Sequence, residues 1–102
     1  MEIFEDKNFE NIDFTITSLP KGEYESCNFM NCNLSNLDVA HYTFIDCKFN
    51  GCNLSLLKLN NTILRDISFE DCKMIGLQFC DANTFGLSVN FDHCILTNAS
   101  FF

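Results

Sequence analysis

The chain has 102 residues, seven of them cysteine and none tryptophan, with six basic against fourteen acidic side chains and a net charge of −8. That length suits a single domain, taken as residues 1–102. The acidic balance argues against direct DNA or RNA binding, which usually rests on a basic patch, and no apolar run nears the roughly 20 residues of a membrane span.

Along the chain one period dominates. From Phe4 every fifth residue is large and apolar: Phe4, Phe9, Phe14, Leu19, Tyr24, Phe29, Leu34, Val39, Phe44, Phe49, Leu54, Leu59, Leu64, Phe69, Met74 and Phe79. On an α-helix a five-residue step turns through about 500°, so the series would wander over every face. On a flat strand an odd step alternates between faces. One constant inward direction therefore needs a chain that turns a corner every five residues, a solenoid whose repeats bury their apolar side by stacking on one another.

The opening stretch, Met1-Glu2-Ile3-Phe4-Glu5-Asp6, is acidic and lacks an apolar signal core, so the cytoplasm is the expected location. At Thr17-Ser18-Leu19-Pro20-Lys21-Gly22, a Pro and a Gly flank a Lys, which predicts a distorted corner or small loop over 17–22. From Tyr24 onward a second inward column stands two residues before each large one. It holds Cys27, Cys32, Leu37, Tyr42, Cys47, Cys52, Leu57, Thr62, Ile67, Cys72, Leu77, Ala82 and Leu87, and beyond the next break Cys94 and Ala99. Six of the seven cysteines share this phase, and free Cys behaves as a small buried hydrophobe. Packing explains a fixed phase better than a disulfide framework or a zinc site, and the odd number opposes full pairing. Cys80 alone stands outward. Between Phe85 and Asn90 the period slips by two residues, with Gly86 suited to a bulge or loop, and Phe85 is expected to replace Thr84 in the core. The series then resumes as Phe91, Leu96 and Phe101.

The unit thus runs small–polar–large–polar–polar, as in Cys27-Asn28-Phe29-Met30-Asn31, Cys32-Asn33-Leu34-Ser35-Asn36 and Cys52-Asn53-Leu54-Ser55-Leu56. This resembles the pentapeptide-repeat family, whose unit is A(N/D)LXX with Cys replacing Ala and Phe replacing Leu. The resemblance covers nearly the whole chain. It implies an all-β fold, a right-handed quadrilateral parallel β-helix of about five coils with four pentapeptides per coil. Stacked at a strand-like spacing, the coils would stand about 24 Å tall. Met1-Glu2-Ile3-Phe4…Phe9-Glu10-Asn11-Ile12-Asp13-Phe14 and Cys80-Asp81-Ala82-Asn83-Thr84-Phe85-Gly86-Leu87 are most similar to the quinolone-resistance and microcin-immunity branch. Proteins of that branch are bacterial and mimic duplex DNA toward type II topoisomerases, so the resemblance implies a protein partner such as DNA gyrase or topoisomerase IV. The likeness extends to a group of bacterial pentapeptide proteins of unassigned function, for which a structural or scaffold role is the alternative. Members of both groups run to about twice this length and end in a dimerisation segment. The pattern here stops at Phe101-Phe102, like the first half of such a protein or a shortened form.

With twenty residues per coil, positions twenty apart stack. One side then carries Glu2, Glu5, Asp6, Glu23, Glu25, Asp46 and Asp66 against Arg65 alone, while the other three sides are nearly balanced. Glu5, Asp6, Glu23, Glu25, Asp46 and Asp66 are the candidate partner-binding residues, because a column of acids can steer a basic surface. A merely solvated, solubilising face is the competing reading. No polar cap follows Leu96, Phe101 and Phe102, which are expected to form a homodimer interface through the C-terminal coils. His41 and His93 are isolated, and no phosphate loop, nucleophile set or metal motif occurs, so neither catalysis, a cofactor nor a metal is expected. The sequons at Asn33, Asn53, Asn60 and Asn98 are read as incidental.

Overall fold

The computed structural model describes residues 2–101. Its strands are β1 (Glu2–Glu5), β2 (Asn8–Glu10), β3 (Gly22–Glu25), β4 (Asn28–Met30), β5 (Thr43–Ile45), β6 (Lys48–Asn50), β7 (Ile63–Arg65), β8 (Ile67–Glu70) and β9 (Val89–Asp92), with one 3-10 turn at Phe79–Asp81. All pairings are parallel. They build two sheets, β1-β3-β5-β7 and β2-β4-β6-β8-β9. The chain is a parallel β-solenoid of about five turns.

The corners explain the five-residue step. Two residues after each large inward residue the backbone turns left-handed, at Ser26, Asn31, Asn36, His41, Asp46, Gly51, Leu56, Asn61, Asp66, Asp71 and Gly76 in succession. Asn, Asp and Gly tolerate that region best, and they dominate the column. Corner amides such as those of Asn31 and Asp46 donate to the carbonyls of Asn50 and Arg65 in the next coil, at 2.9 and 2.8 Å. The turns therefore belong to the stack and cannot form alone. At Ile16 and Lys21, the corner positions flanking Pro20, the chain turns without a left-handed residue. Glu2 still pairs with Gly22, so the twenty-residue register survives that stretch.

Two sides of the square are strands. The other two are tight turns tied by single bridges, Asp13–Asn33–Asn53–Lys73–Ile95 on one and Asp38–Lys58 and Gln78–Ser100 on the other. On these turn sides Asn33 and Asn53 accept the amides of Ser35 and Ser55 through their own side-chain oxygens, at 3.0 and 3.1 Å. Thr62, the hydroxyl residue of a third sequon, is buried and donates to the Val39 carbonyl at 2.6 Å.

Inside, the large column stacks ring on ring. Phe9, Phe29, Phe49, Phe69 and Phe91 lie nearly parallel, with centroids 4.6 to 5.5 Å apart. Each such contact contributes about 0.5–1.5 kcal/mol beyond the area it buries. The second column places Cys27, Cys32, Cys47, Cys52 and Cys72 in the core, all as free thiols. Each donates to a carbonyl of the coil below, as Cys47 does to Tyr24 and Cys72 to Phe49 at 3.3 Å. Burial pushes the Cys47 thiol up to about 12. A hydrogen bond with Cys72, together with burial, raises Cys52 as well. The same hydrogen bond lowers Cys72, its other partner, and all five thiols are packed inside the core, away from solvent. Tyr42, in the same column, reaches the Leu19 carbonyl at 2.6 Å, and the Tyr24 hydroxyl donates to the Pro20 carbonyl. The two phenols satisfy the irregular early corner from within.

The slip lies between Asn83 and Ser88. The Asn83 amide still meets Thr62 O in register, but beyond the slip Phe69 pairs with Phe91, twenty-two residues on. Phe85 does not enter the core in place of Thr84. It is 76% exposed, while Leu87 packs inward. The reason is local: Asn83 Oδ1 accepts the Phe85 amide at 2.9 Å, Gly86 turns left-handed, and the Arg65 guanidinium covers the ring at 5.8 Å.

Leu56 is the exception among the corners. It stands at φ 57° and is 52% exposed, in a column whose other left-handed members are Asn36, Gly76 and Asn98. A Cβ clash makes the left-handed region cost most residues about 1–2 kcal/mol. Leu56→Asn is expected to raise unfolding stability by about 1 kcal/mol, seen as a higher urea midpoint at unchanged slope.

Candidate functional site

The acidic side is the outer face of the β1-β3-β5-β7 sheet and the corner that follows it. Strand alternation turns Phe4, Tyr24, Phe44 and Leu64 inward and sends their neighbours out. By register one flanking column runs Glu5, Glu25, Ile45, Arg65, and the other Ile3, Glu23, Thr43, Ile63, of which Thr43 is buried. Asp6, Ser26, Asp46 and Asp66 form the left-handed corner beside them. Ser26 Oγ lies 3.2 Å from Asp46 Oδ2 and bridges the gap in that column.

All six candidate acids therefore share one side, but they do not form one even column. Glu5, Glu23 and Glu25 gather on the first two coils. Asp46 and Asp66 continue only along the corner, because Thr43, Ile45 and Ile63 occupy the strand positions behind them. The one base of the side, Arg65, ends the sheet and turns to Phe85. His93 Nδ1 lies 2.6 Å from Asp92 Oδ1, well exposed and off this side, and among the described residues no Lys or Arg pairs with an acid of this side. Glu25 feels the crowding. A hydrogen bond with Glu23, partial desolvation and the charges of Glu23 and Glu5 raise its carboxyl above the ordinary carboxylate range.

Of the C-terminal candidates, Leu96 is partly buried against the core. Phe101 stacks on Phe79 at 5.0 Å and remains 48% exposed. Phe102 lies outside the described residues. Both histidines stand at left-handed corners. Cys80 is exposed, with the Ser100 hydroxyl 3.8 Å from its sulfur. Among the described residues no three His, Cys, Asp or Glu converge as metal ligands, and no helix is long and apolar enough to cross a membrane. Sequence reasoning missed the contact between Arg65 and Phe85. The only signal for it was the slip itself, since a displaced aromatic needs a partner near the break.

Residues 22–101 match the family described as a pentapeptide repeat region. The chain belongs to the pentapeptide-repeat family. Its fold superposes on the full-length structure of QnrB1, a plasmid-mediated fluoroquinolone resistance protein, with a TM-score of 0.71 at 20% identity over 98% of this chain. This pentapeptide-repeat chain spans about half the length of that structure, 49% of it. Two trypsin-treated variants of QnrB1 align at TM-scores of 0.44 and 0.47 with 18% and 22% identity, over 96% of this chain in both and 57% and 49% of theirs. No curated protein matches the chain.

Because its folded pKa is raised, Glu25 costs stability above that value and costs nothing below the unfolded carboxylate value near 4.3. Glu25→Gln is therefore expected to raise the thermal midpoint at neutral pH. The gain should shrink to zero as pH falls into the carboxylate range, in a series of melts across pH.

Proposed function

We propose that this pentapeptide-repeat protein is a non-enzymatic binding protein of the bacterial cytoplasm, whose acidic side imitates duplex DNA toward a type II topoisomerase, DNA gyrase or topoisomerase IV. The observation that carries the reading is the set of acids Glu5, Asp6, Glu23, Glu25, Asp46 and Asp66, held on one side and without ion-pair partners among the described residues. A regular scaffold keeps such charges in place at no ordering cost, and their field steers a basic, DNA-binding surface. The fold it shares with QnrB1 agrees with this role. A scaffold role without a topoisomerase is the second reading. It draws support from Thr43, Ile45 and Ile63, which interrupt the acids in the middle coils.

Glu25→Lys combined with Asp46→Asn and Asp66→Asn removes charge while keeping corner residues that tolerate left-handed backbone. This variant is expected to lose gyrase binding in a surface-immobilised assay while staying folded, with a melting midpoint no lower than the wild type's, since removing the Glu25 charge relieves its repulsion with Glu23 and Glu5. If the wild-type protein leaves gyrase supercoiling and its drug sensitivity unchanged, the topoisomerase reading fails and a pull-down from native host extract decides for the scaffold.

The C-terminal coil is proposed to join a second copy through Leu96, Phe101 and Phe102, with exposed Ile95 and Phe101 as apolar contacts. Sedimentation at micromolar concentration is expected to show a dimer, and a clean monomer would refute it.

A further inference from the structure

Asn50 and Gly51 form the only Asn–Gly step in the chain. Such a step is the most reactive setting for loss of a side-chain amide, because glycine leaves the following backbone nitrogen unhindered. The Gly51 nitrogen attacks Asn50 Cγ and forms a C–N bond. Ammonia leaves, carrying off the amide proton, and a succinimide ring results. Water then opens the ring to aspartate or isoaspartate. No oxidant, metal or further reactant is needed.

The fold accounts both for the glycine and for its restraint. Position 51 is a left-handed corner at φ 66°, which its stack neighbours Asn31 and Asp71 also reach. Here Asn31 Oδ1 occupies the space that a Cβ at 51 would need, so a larger residue would have to displace that side chain. The reactive nitrogen is bound: the Gly51 N–H donates to Glu70 O at 2.9 Å in the coil above. On the other side the Asn50 carbonyl accepts the Asn31 amide at 2.9 Å from the coil below. The linking peptide is thus clamped from both directions. Attack requires the nitrogen to leave its acceptor and the Asn50 backbone to leave the strand.

We propose that Asn50–Gly51 is a deamidation site held inactive by the coil stack, so that modification there records opening of the middle coils. The product matters to the fold. A carboxylate at 50 faces Glu70, its register partner, across one strand spacing. Like charges directly opposite destabilise a sheet. The isoaspartyl form also adds a backbone methylene to a five-residue side that has no slack.

Peptide mapping by mass spectrometry tests this on the whole protein in warm, mildly alkaline buffer, with and without urea. Conversion at Asn50 is expected to be at least roughly tenfold slower in the folded protein, since local opening precedes reaction. Asn50→Gln should abolish the mass shift at that peptide. Phe69→Leu thins the ring stack of Phe49, Phe69 and Phe91. It should speed conversion in native buffer and leave the rate in urea unchanged. Equal rates in folded and unfolded chains, no conversion in urea, or a native rate indifferent to Phe69→Leu would each overturn the proposal.

Discussion

Everything in this molecule depends on the hydrogen bonds that join one coil to the next. A five-residue side is too short to bury anything by itself, and a left-handed corner with Asn, Asp or Gly is only a permitted turn. Stacking changes both facts together. The corner amide finds a carbonyl in the next coil, as Asn31 does at Asn50, and the inward ring finds another ring, as Phe29 does at Phe49. Backbone satisfaction and apolar burial are thus the same event, repeated up the axis.

That coupling governs what the surface can do. The interior claims two positions of every five, and the corner claims a third. What remains is a small set of outward positions whose neighbours are dictated by register. On the β1-β3-β5-β7 sheet this leaves Glu5 over Glu25 and Ile3 over Glu23, with Asp6, Ser26, Asp46 and Asp66 at the edge. A face of this kind cannot rearrange to fit a partner. Its charges stand in a pattern fixed by the register of the coils.

Much of this was legible along the chain. The period placed Phe4 through Phe79 inward, the phase placed Cys27, Cys32, Cys47, Cys52 and Cys72 beside them, and the step of twenty gathered the acids on one side. Each inference held because a strict repeat turns sequence separation into spatial distance. Where the repeat faltered, the inference faltered too. Phe85 looked like a core residue by its place beside Thr84, yet an Asx turn at Asn83 and the Arg65 guanidinium hold it outside. Leu56 looked like any other polar-slot residue, and only its φ shows that it occupies a corner suited to Asn or Gly.

The amino-acid sequence by itself determined the solenoid, its inward columns and the side on which its negative charge collects, because all three follow from a repeat of constant length. Only the tertiary structure decided how that charge is distributed along the axis, which thiols donate to which carbonyls, and how the two extra residues before β9 are absorbed. Those outcomes depend on contacts between residues twenty or more apart whose side chains differ from coil to coil. A five-residue period describes what the coils share, and the packing of Tyr42 against Leu19 or Arg65 against Phe85 arises where they do not.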